Sequence, residues 1–577
     1  MNNRNLILAV LLSGLLILGW DVGIRYFYPE AALTAPADPA KPAKAGTATS
    51  AGDLGSEGAG SRKVTLKGSL ASGNRVVIDT PRVAGSINLV GARIDDIVLK
   101  DYRETVKKGS GPVRLFAPEG TPTQYFAEFG FVAGGARQPS TAVWKADGAK
   151  LTPTTPVTLT RTDAAGITYA IKFAIDADYM ITATQTASNA GAAAAIIQPF
   201  ALIKRTSTTA TIDEFATHSG PVGVFGGALW DPHSYAELAE LGGEKPGGAA
   251  SWLGFVDRYW LGALVPGKGE TDSAGFRALG KDLFRTDLLY AATSVPAGGK
   301  LTQSTRLYAG AKDSIILDKY EESGITNFGL AISWGWFAIV ERPILWLLRT
   351  LNSAVGNFGV AIILLTLIIR GLMFPIAQKQ FASMAGMKAV QPKMKEIQER
   401  FKDDKQRQQQ EIMKLYKDEK VNPLAGCLPL VLQIPIFFAL YKVLVLAIEM
   451  RHEPFVLWIK DLSAPDPAHI LNLFGTLPYD VPGFLAIGPL AVLLGITMWL
   501  TFKLNPSAMD PVQQQMFAIM PWILMFVMAP FAAGLLLYWV TSNILTVAQQ
   551  SYLYSKHPQL KAANAVAAKD VVVKGKG

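Results

Sequence analysis

The sequence predicts a polytopic α-helical membrane protein with six transmembrane helices and a large β-sandwich domain outside the membrane. Three observations predict it. Apolar runs of near bilayer length recur along the chain. Lysine and arginine gather in the segments that fall on one side of those runs. Between the first run and the rest lies a long polar stretch of alternating and β-branched segments. The bulk properties agree: 577 residues, half of them hydrophobic, are too many for one domain and too apolar for an ordinary soluble chain. The net charge of +9 is modest and matters through its placement. Cys427 is the only cysteine, so no intrachain disulfide forms. The five histidines are scattered with no HxxxH or HExxH pair, so no metal-ligand cluster is legible.

Residues 1–29 read as the first transmembrane helix, with the apolar run Leu6–Tyr28 and an aromatic belt of Trp20, Tyr26, Phe27 and Tyr28. A cleaved signal peptide is the other reading, because small residues follow (ALTAPA). Residues 30–62, rich in Ala, Pro, Gly, Ser and Thr, read as a disordered tether that carries no chemistry. Residues 63–325 read as the β-sandwich. Its extended stretches are Val64–Leu66, Arg75–Asp79, Ser86–Val90, Asp96–Leu99, Thr168–Ala174 and Met180–Thr184, with a helix at Ser234–Leu241. No GxSxG, metal cluster or phosphate loop occurs there, which favours a binding or scaffolding domain over a catalyst.

Residues 326–357 hold an apolar stretch, 330–350, with Glu341, Arg342 and Pro343 at its middle. Counting it as a span would turn the basic segment after it outward. It therefore reads as an amphipathic helix in the outer interface, anchored by Trp334, Trp336 and Trp346. Residues 358–555 form the membrane core. Its spans are Phe358–Ala377, about Cys427–Ile448 and about Phe484–Phe502. The run Met516–Thr546 is too long for one span, and Pro530 with Gly534 divides it into Gln515–Ala529 and Phe531–Gln549. Segment 378–425 carries eleven basic residues and belongs inside, as do Lys503 and the basic tail 556–577. Both termini are then cytoplasmic. Segment 378–425 reads as a helical hairpin, with Met384, Met387, Val390, Met394, Ile397 and Phe401 on one face and a polar break at Lys402–Lys405. A docking arm and a plain solvated coiled coil are both open for it.

Arg370 is the most informative residue. It sits inside the run Phe358–Ala377, where a permanent charge costs at least ~2.5–3.5 kcal/mol. Such a residue faces a watery cavity or a partner, or else snorkels to the headgroups. The apolar tail Leu372–Ala377 argues against snorkelling. Lys442 is a second cation within a span, and snorkelling or a carboxylate partner are both open for it.

The runs Thr366–Phe401 and Asp403–Tyr441, WIKDLSAPDP at Trp458–Pro467 and GLLLYWVTSNILTVAQQ at Gly534–Gln550 resemble the YidC family of membrane protein insertases. The outer domain, including WLGFVDRYWLGALVP at Trp252–Pro266, resembles the Gram-negative branch with its large periplasmic domain. The resemblance implies a five-helix insertase core around a hydrophilic groove open to cytoplasm and lipid. It implies the bacterial inner membrane and nascent inner-membrane proteins as substrates. Arg370 matches the groove arginine, Thr366 matches a groove-facing position, Gln433 and Phe437 match positions that line the groove or contact substrate, and Tyr538 and Trp539 fall in the matching stretch of the last span. The Sec translocon is an implied partner.

Physical reasoning gives this picture a mechanism. A polar tail crossing an apolar layer meets a desolvation barrier, and a wet groove shortens the dry path. Arg370 attracts the tail, Thr366 and Gln433 serve the spare donors of Arg370, and the apolar segment leaves past Phe437, Ile434 and the Met/Phe-rich fifth span. For Phe437 and the fifth span, ordinary packing is the plainer alternative. No cofactor, nucleotide hydrolysis or small-molecule substrate is expected. The basic tail has two readings, ribosomal RNA or anionic lipid against a plain positive-inside anchor. A solute or anion transporter is the competing function, opposed by the lack of an inverted repeat; an envelope enzyme using the β domain is a third.

Overall fold

The computed structural model describes residues 54, 64–210, 218–402, 404–419, 428–474, 477, 481, 485–504 and 511–556. The expected first span, the tether apart from Leu54, and the tail beyond Lys556 lie outside the described residues. The chain divides into two compact units, one reaching Trp336 (without the loop Thr105–Lys108) and one running from Phe337.

The first unit is the expected β-sandwich, built from a 12-stranded and a 9-stranded sheet. Alternation makes it: along Ile167–Ile175, the residues Ile167, Tyr169, Ile171, Phe173 and Ile175 are buried and those between are not. Rings from the two sheets meet in the core. Phe129 of strand Tyr125–Ala133 lies 5.6 Å from Phe173, and Phe131 lies 4.9 Å from Tyr169. Buried Gln185 of Met180–Asn189 donates from Nε2 to the carbonyls of Gly130 (2.7 Å) and Phe200 (3.1 Å), bonding one sheet to the other. The helix expected at Ser234–Leu241 spans Tyr235–Leu241, started by a Ser234–Glu237 capping box and ended at Gly242 with φ 74°. One extended stretch is overturned. Leu66–Leu70 is a short helix, because the Thr65 side chain accepts from Gly68 N and caps it.

The second unit is helical: α1 (Ala338–Val355), α2 (Phe358–Arg400), α3 (Lys405–Asp418), α4 (Leu428–Leu446), α5 (Pro489–Leu504), α6 (Pro511–Met528) and α7 (Ala533–Lys556). The second span and the first hairpin arm are one continuous helix of 43 residues, which runs through Pro375 and Pro392. The hairpin turns at the expected polar break, and α3 returns along α2, with Gln408 Nε2 donating to Gln398 O (2.8 Å) and Lys393 paired with Glu419 (2.6 Å). The fourth span begins at Pro489, later than Phe484, because Asp466 accepts from Leu490 N (3.1 Å) and caps the helix there. The long last run breaks beside Pro530 as expected, whereas Gly534 lies inside α7.

The amphipathic helix starts at Ala338, and Trp334 is 2% exposed, so it cannot be an interfacial anchor. Trp346 and Ile339 are exposed on one face of α1, opposite buried Ile344, Leu345 and Leu348. Phe337 meets Phe438 (5.6 Å), Glu341 pairs with Lys442 (3.3 Å), and Arg349 pairs with Glu449. These contacts advance together along α1 and along the end of α4 into the turn Ile448–Met450 that follows it, so α1 follows the end of α4. Lys442 thus has a carboxylate partner 101 positions earlier in the chain.

Among the described residues, the stretch Phe358–Lys379 of α2 is long and apolar enough to cross a membrane. Leu432–Leu446, Pro489–Leu504 and Ala518–Met528 are shorter apolar helices. Large apolar side chains nevertheless lie outside: Ile519, Trp522, Ile523, Phe526 and Val527 give α6 an exposed stripe, and Leu493, Ile496 and Leu500 do so on α5. Stripes of this kind are unsuited to water and suit lipid.

Candidate functional site

Asn357 fixes the start of α2. Its side chain accepts from Val360 N (3.1 Å) and donates to Phe455 O (3.1 Å). Three turns on, Thr366 and Arg370 stand one turn apart on one face. Arg370 Nε donates to Ser542 Oγ at 3.0 Å, and Nη2 donates to the same oxygen. Ser542 is 1% exposed and lies on α7. Tyr538, one turn earlier on α7, accepts through its hydroxyl from Gln433 Nε2 of α4. Phe437, one turn after Gln433, places its ring 5.0 Å from Trp539 at 62°. One face of α7 therefore joins the α2 arginine to the α4 glutamine through two hydroxyls.

Five of the six expected site residues take part in these contacts. Thr366 does not: its buried hydroxyl donates to Ile362 O (2.7 Å) in its own helix and leaves Arg370 alone. Gln433 likewise serves Tyr538 and not Arg370. Ser542, which does serve Arg370, was not foreseen. Its signal was faint, a serine one turn after Tyr538 in the quoted run of α7.

The strip continues along α7. Thr546 donates to Ser542 O (2.7 Å), and Asn543 donates to Thr497 Oγ1 of α5 (3.2 Å). Gln549 Nε2, two turns past Ser542, is buried with no partner among the described residues. No carboxylate among the described residues pairs with Arg370. A guanidinium has several N–H donors and no acceptor, so donors beyond those on Ser542 are left for water, carbonyl or carboxylate. Among the described residues, no group of three or more His, Cys, Asp or Glu side chains is placed to hold a metal.

The stretch Trp458–Pro467 is structural. Asp466 accepts from Trp458 Nε1 (2.9 Å), Ala468 N (3.1 Å) and Leu490 N (3.1 Å), which ties the α4–α5 connection to the start of α5.

Comparison with known proteins identifies the family of the chain. The family described as 60Kd inner membrane protein matches residues 350–560, and the YidC periplasmic domain matches residues 75–347. The membrane protein insertase YidC of Nitrobacter hamburgensis is 44% identical, over 96% of this chain and 95% of that protein. The chain belongs to the YidC family of membrane protein insertases. Its relative of the same name in Mesorhizobium japonicum is 42% identical, over 96% of both chains. An active YidC insertase crystal structure is similar over 83% of this chain and 92% of its own, at 18% identity and a TM-score of 0.37. The family assignment rests on the sequence relatives. In the YidC family the outer β-sandwich is the periplasmic domain and the membrane is the inner membrane. Nothing in these likenesses points to catalytic activity.

Proposed function

We propose that this chain inserts nascent inner-membrane proteins by drawing a polar tail into a groove at Arg370 and releasing the apolar segment past α4 and α6. The observation that carries the reading is Arg370 itself, a permanent cation on a serine hydroxyl within the apolar first part of α2. Its remaining donors attract an acidic or carbonyl-rich tail. At about 4 Å and an effective dielectric of 20 such a contact is worth up to ~4 kcal/mol. Gln433 and Arg370, which are only partly buried, keep the tail hydrated or hydrogen-bonded part-way across, and the buried hydroxyls of Tyr538 and Ser542 hold these two side chains in place. Exposed Ile434 and the bare stripe of α6 support the exit route, since an emerging apolar segment has surface to lie against before it reaches lipid.

The six-span topology, with both termini inside, belongs to this proposal and is supported by the charge asymmetry of 378–425 and 451–483. The α2–α3 hairpin is a docking arm in the same reading, with exposed Met413 available to an apolar partner. The Sec translocon is the partner the family resemblance suggests, and the ribosome is the one suggested by the basic charge of the hairpin and the tail. In proteoliposomes, a single-span substrate with a short acidic tail becomes protease-protected with the unaltered chain and with Arg370→Lys. Arg370→Ala lowers protection at least about tenfold. Equal protection by Arg370→Ala would refute the attraction.

A further inference from the structure

Residues 30–62 contain only two large apolar side chains, Leu33 and Leu54. Leu54 is 4% exposed and packs with Val132, Phe200, Leu202 and Leu289. These belong to three adjacent strands of the larger sheet, Tyr125–Ala133, Ala195–Thr206 and Leu283–Tyr290. Phe129 and Phe131 point to the other sheet, so Val132 and Gly130 lie on the outer face of this one. A Cβ on Gly130 would stand 2.7 Å from the Phe200 ring, so the missing side chain lets that ring lie flat as a floor. Arg137 closes the side. It donates from Nη1 to Leu54 O (3.4 Å) and from Nη2 to Glu128 (2.6 Å), with its guanidinium 5.1 Å over the Phe200 ring.

A cavity beside this seat is lined by Arg93, Arg137, Lys204 and Arg285 against only Glu119 and Glu128. Arg93 pairs with both acids and Lys204 with Glu119, while Asp287, outside the lining, holds Arg285. Burial alone would raise the Glu119 carboxyl, but Arg93 and Lys204 prevail and hold it below the usual range. The tether sequence complements this face: Asp53 and Glu57 flank Leu54, and no lysine or arginine lies between Lys44 and Arg62.

We propose that the outer face of the larger sheet is a binding groove for an acidic, leucine-bearing extended segment, and that the chain's own tether, through Leu54, is its resident occupant. The domain proper begins at Val64, whose N–H donates to Gly120 O (3.1 Å). A linker as short as 55–63 gives an effective concentration of roughly 1 mM, so an intrinsic Kd of ~100 μM suffices for about tenfold preference for the docked state. Docking leaves only the residues before Leu54 to reach the first apolar run, and so sets the reach of the domain. The proposal is independent of the role of Arg370.

The test uses the full-length chain in its own membranes, with a diazirine-bearing leucine analogue at position 54. Illumination is expected to link position 54 to peptides carrying Val132, Phe200–Leu202 or Leu289, with the yield reduced several-fold by Arg137→Ala. A labelled peptide of residues 48–60 is expected to bind the Leu54→Ala chain about tenfold more tightly than the unaltered chain, whose groove is filled. Crosslinks to lipid or to another protein in place of the sheet overturn the proposal. Peptide binding that does not differ between the two chains also overturns it.

Discussion

In the β-sandwich, Arg205 is 2% exposed and its Nη2 bonds both oxygens of Asp257 (2.9 and 2.7 Å). In the helical unit, Arg370 rests on Ser542, with no carboxylate partner among the described residues. Lys442, in the same helical unit, follows the first pattern and pairs with Glu341. A buried cation with its own carboxylate is internally neutral and has little left to offer. A cation on a hydroxyl keeps its field for whatever enters. In the proposed function, that difference separates the structural charges of the chain from the one that acts on substrate.

Changes that unbalance the paired charges sharpen that comparison. Arg205→Met takes from buried Asp257 its bidentate partner and leaves it Ser219 and the nearby Lys312, and is expected to cost about 3 kcal/mol, read as a fall in the unfolding temperature of the first unit. Lys442→Met strands Glu341 and costs about 2 kcal/mol, most of it recovered in the double variant Lys442→Met/Glu341→Gln. Additive effects in that cycle would show that the pair is not coupled. A hydrophobic replacement at a cation that burial disfavours has the opposite sign. Lys312 is 1% exposed, and burial pushes its ammonium down to about 7, against a weaker upward pull from Asp257. The unfolded chain binds that proton up to about pH 10.5, so the first unit gains stability as pH rises from 7 towards 10.5. Lys312→Met removes this slope and stabilises the first unit at pH 7 by about 1–2 kcal/mol, measurable by denaturant titration at pH 7 and pH 9. Ser542→Ala is the mildest change. It removes the shared hydroxyl acceptor of two Arg370 donors, costs about 1–2 kcal/mol, and leaves insertion within about fivefold of the unaltered chain.

What the sequence disclosed follows from how local each signal is. The capped helix at Ser234, the break beside Pro530 and the hairpin turn after Arg400 are set by neighbours within a few residues, and all were legible. That Phe437 and Trp539 meet was not legible, since periodicity places neither ring against the other and does not separate a groove ring from a packed one. The partner of Arg370 lies 172 positions away and that of Lys442 lies 101 away, so neither could be read from spacing. Thr366 misled because helical periodicity puts it on the face of Arg370 but does not say that its hydroxyl turns back to Ile362. Leu54 was hidden for the opposite reason: its neighbours look featureless, and its contacts come entirely from the folded sheet.

The central claim is that an uncompensated charge at Arg370 does the attracting. Ser542→Asp would place a carboxylate where the guanidinium already rests, and convert Arg370 to the pattern of Arg205. Reconstituted in proteoliposomes with the acidic-tailed substrate, this variant is predicted to remain folded and to lose protease-protected insertion at least about tenfold, as Arg370→Ala does. A folded Ser542→Asp chain that inserts as well as the unaltered one would contradict the account.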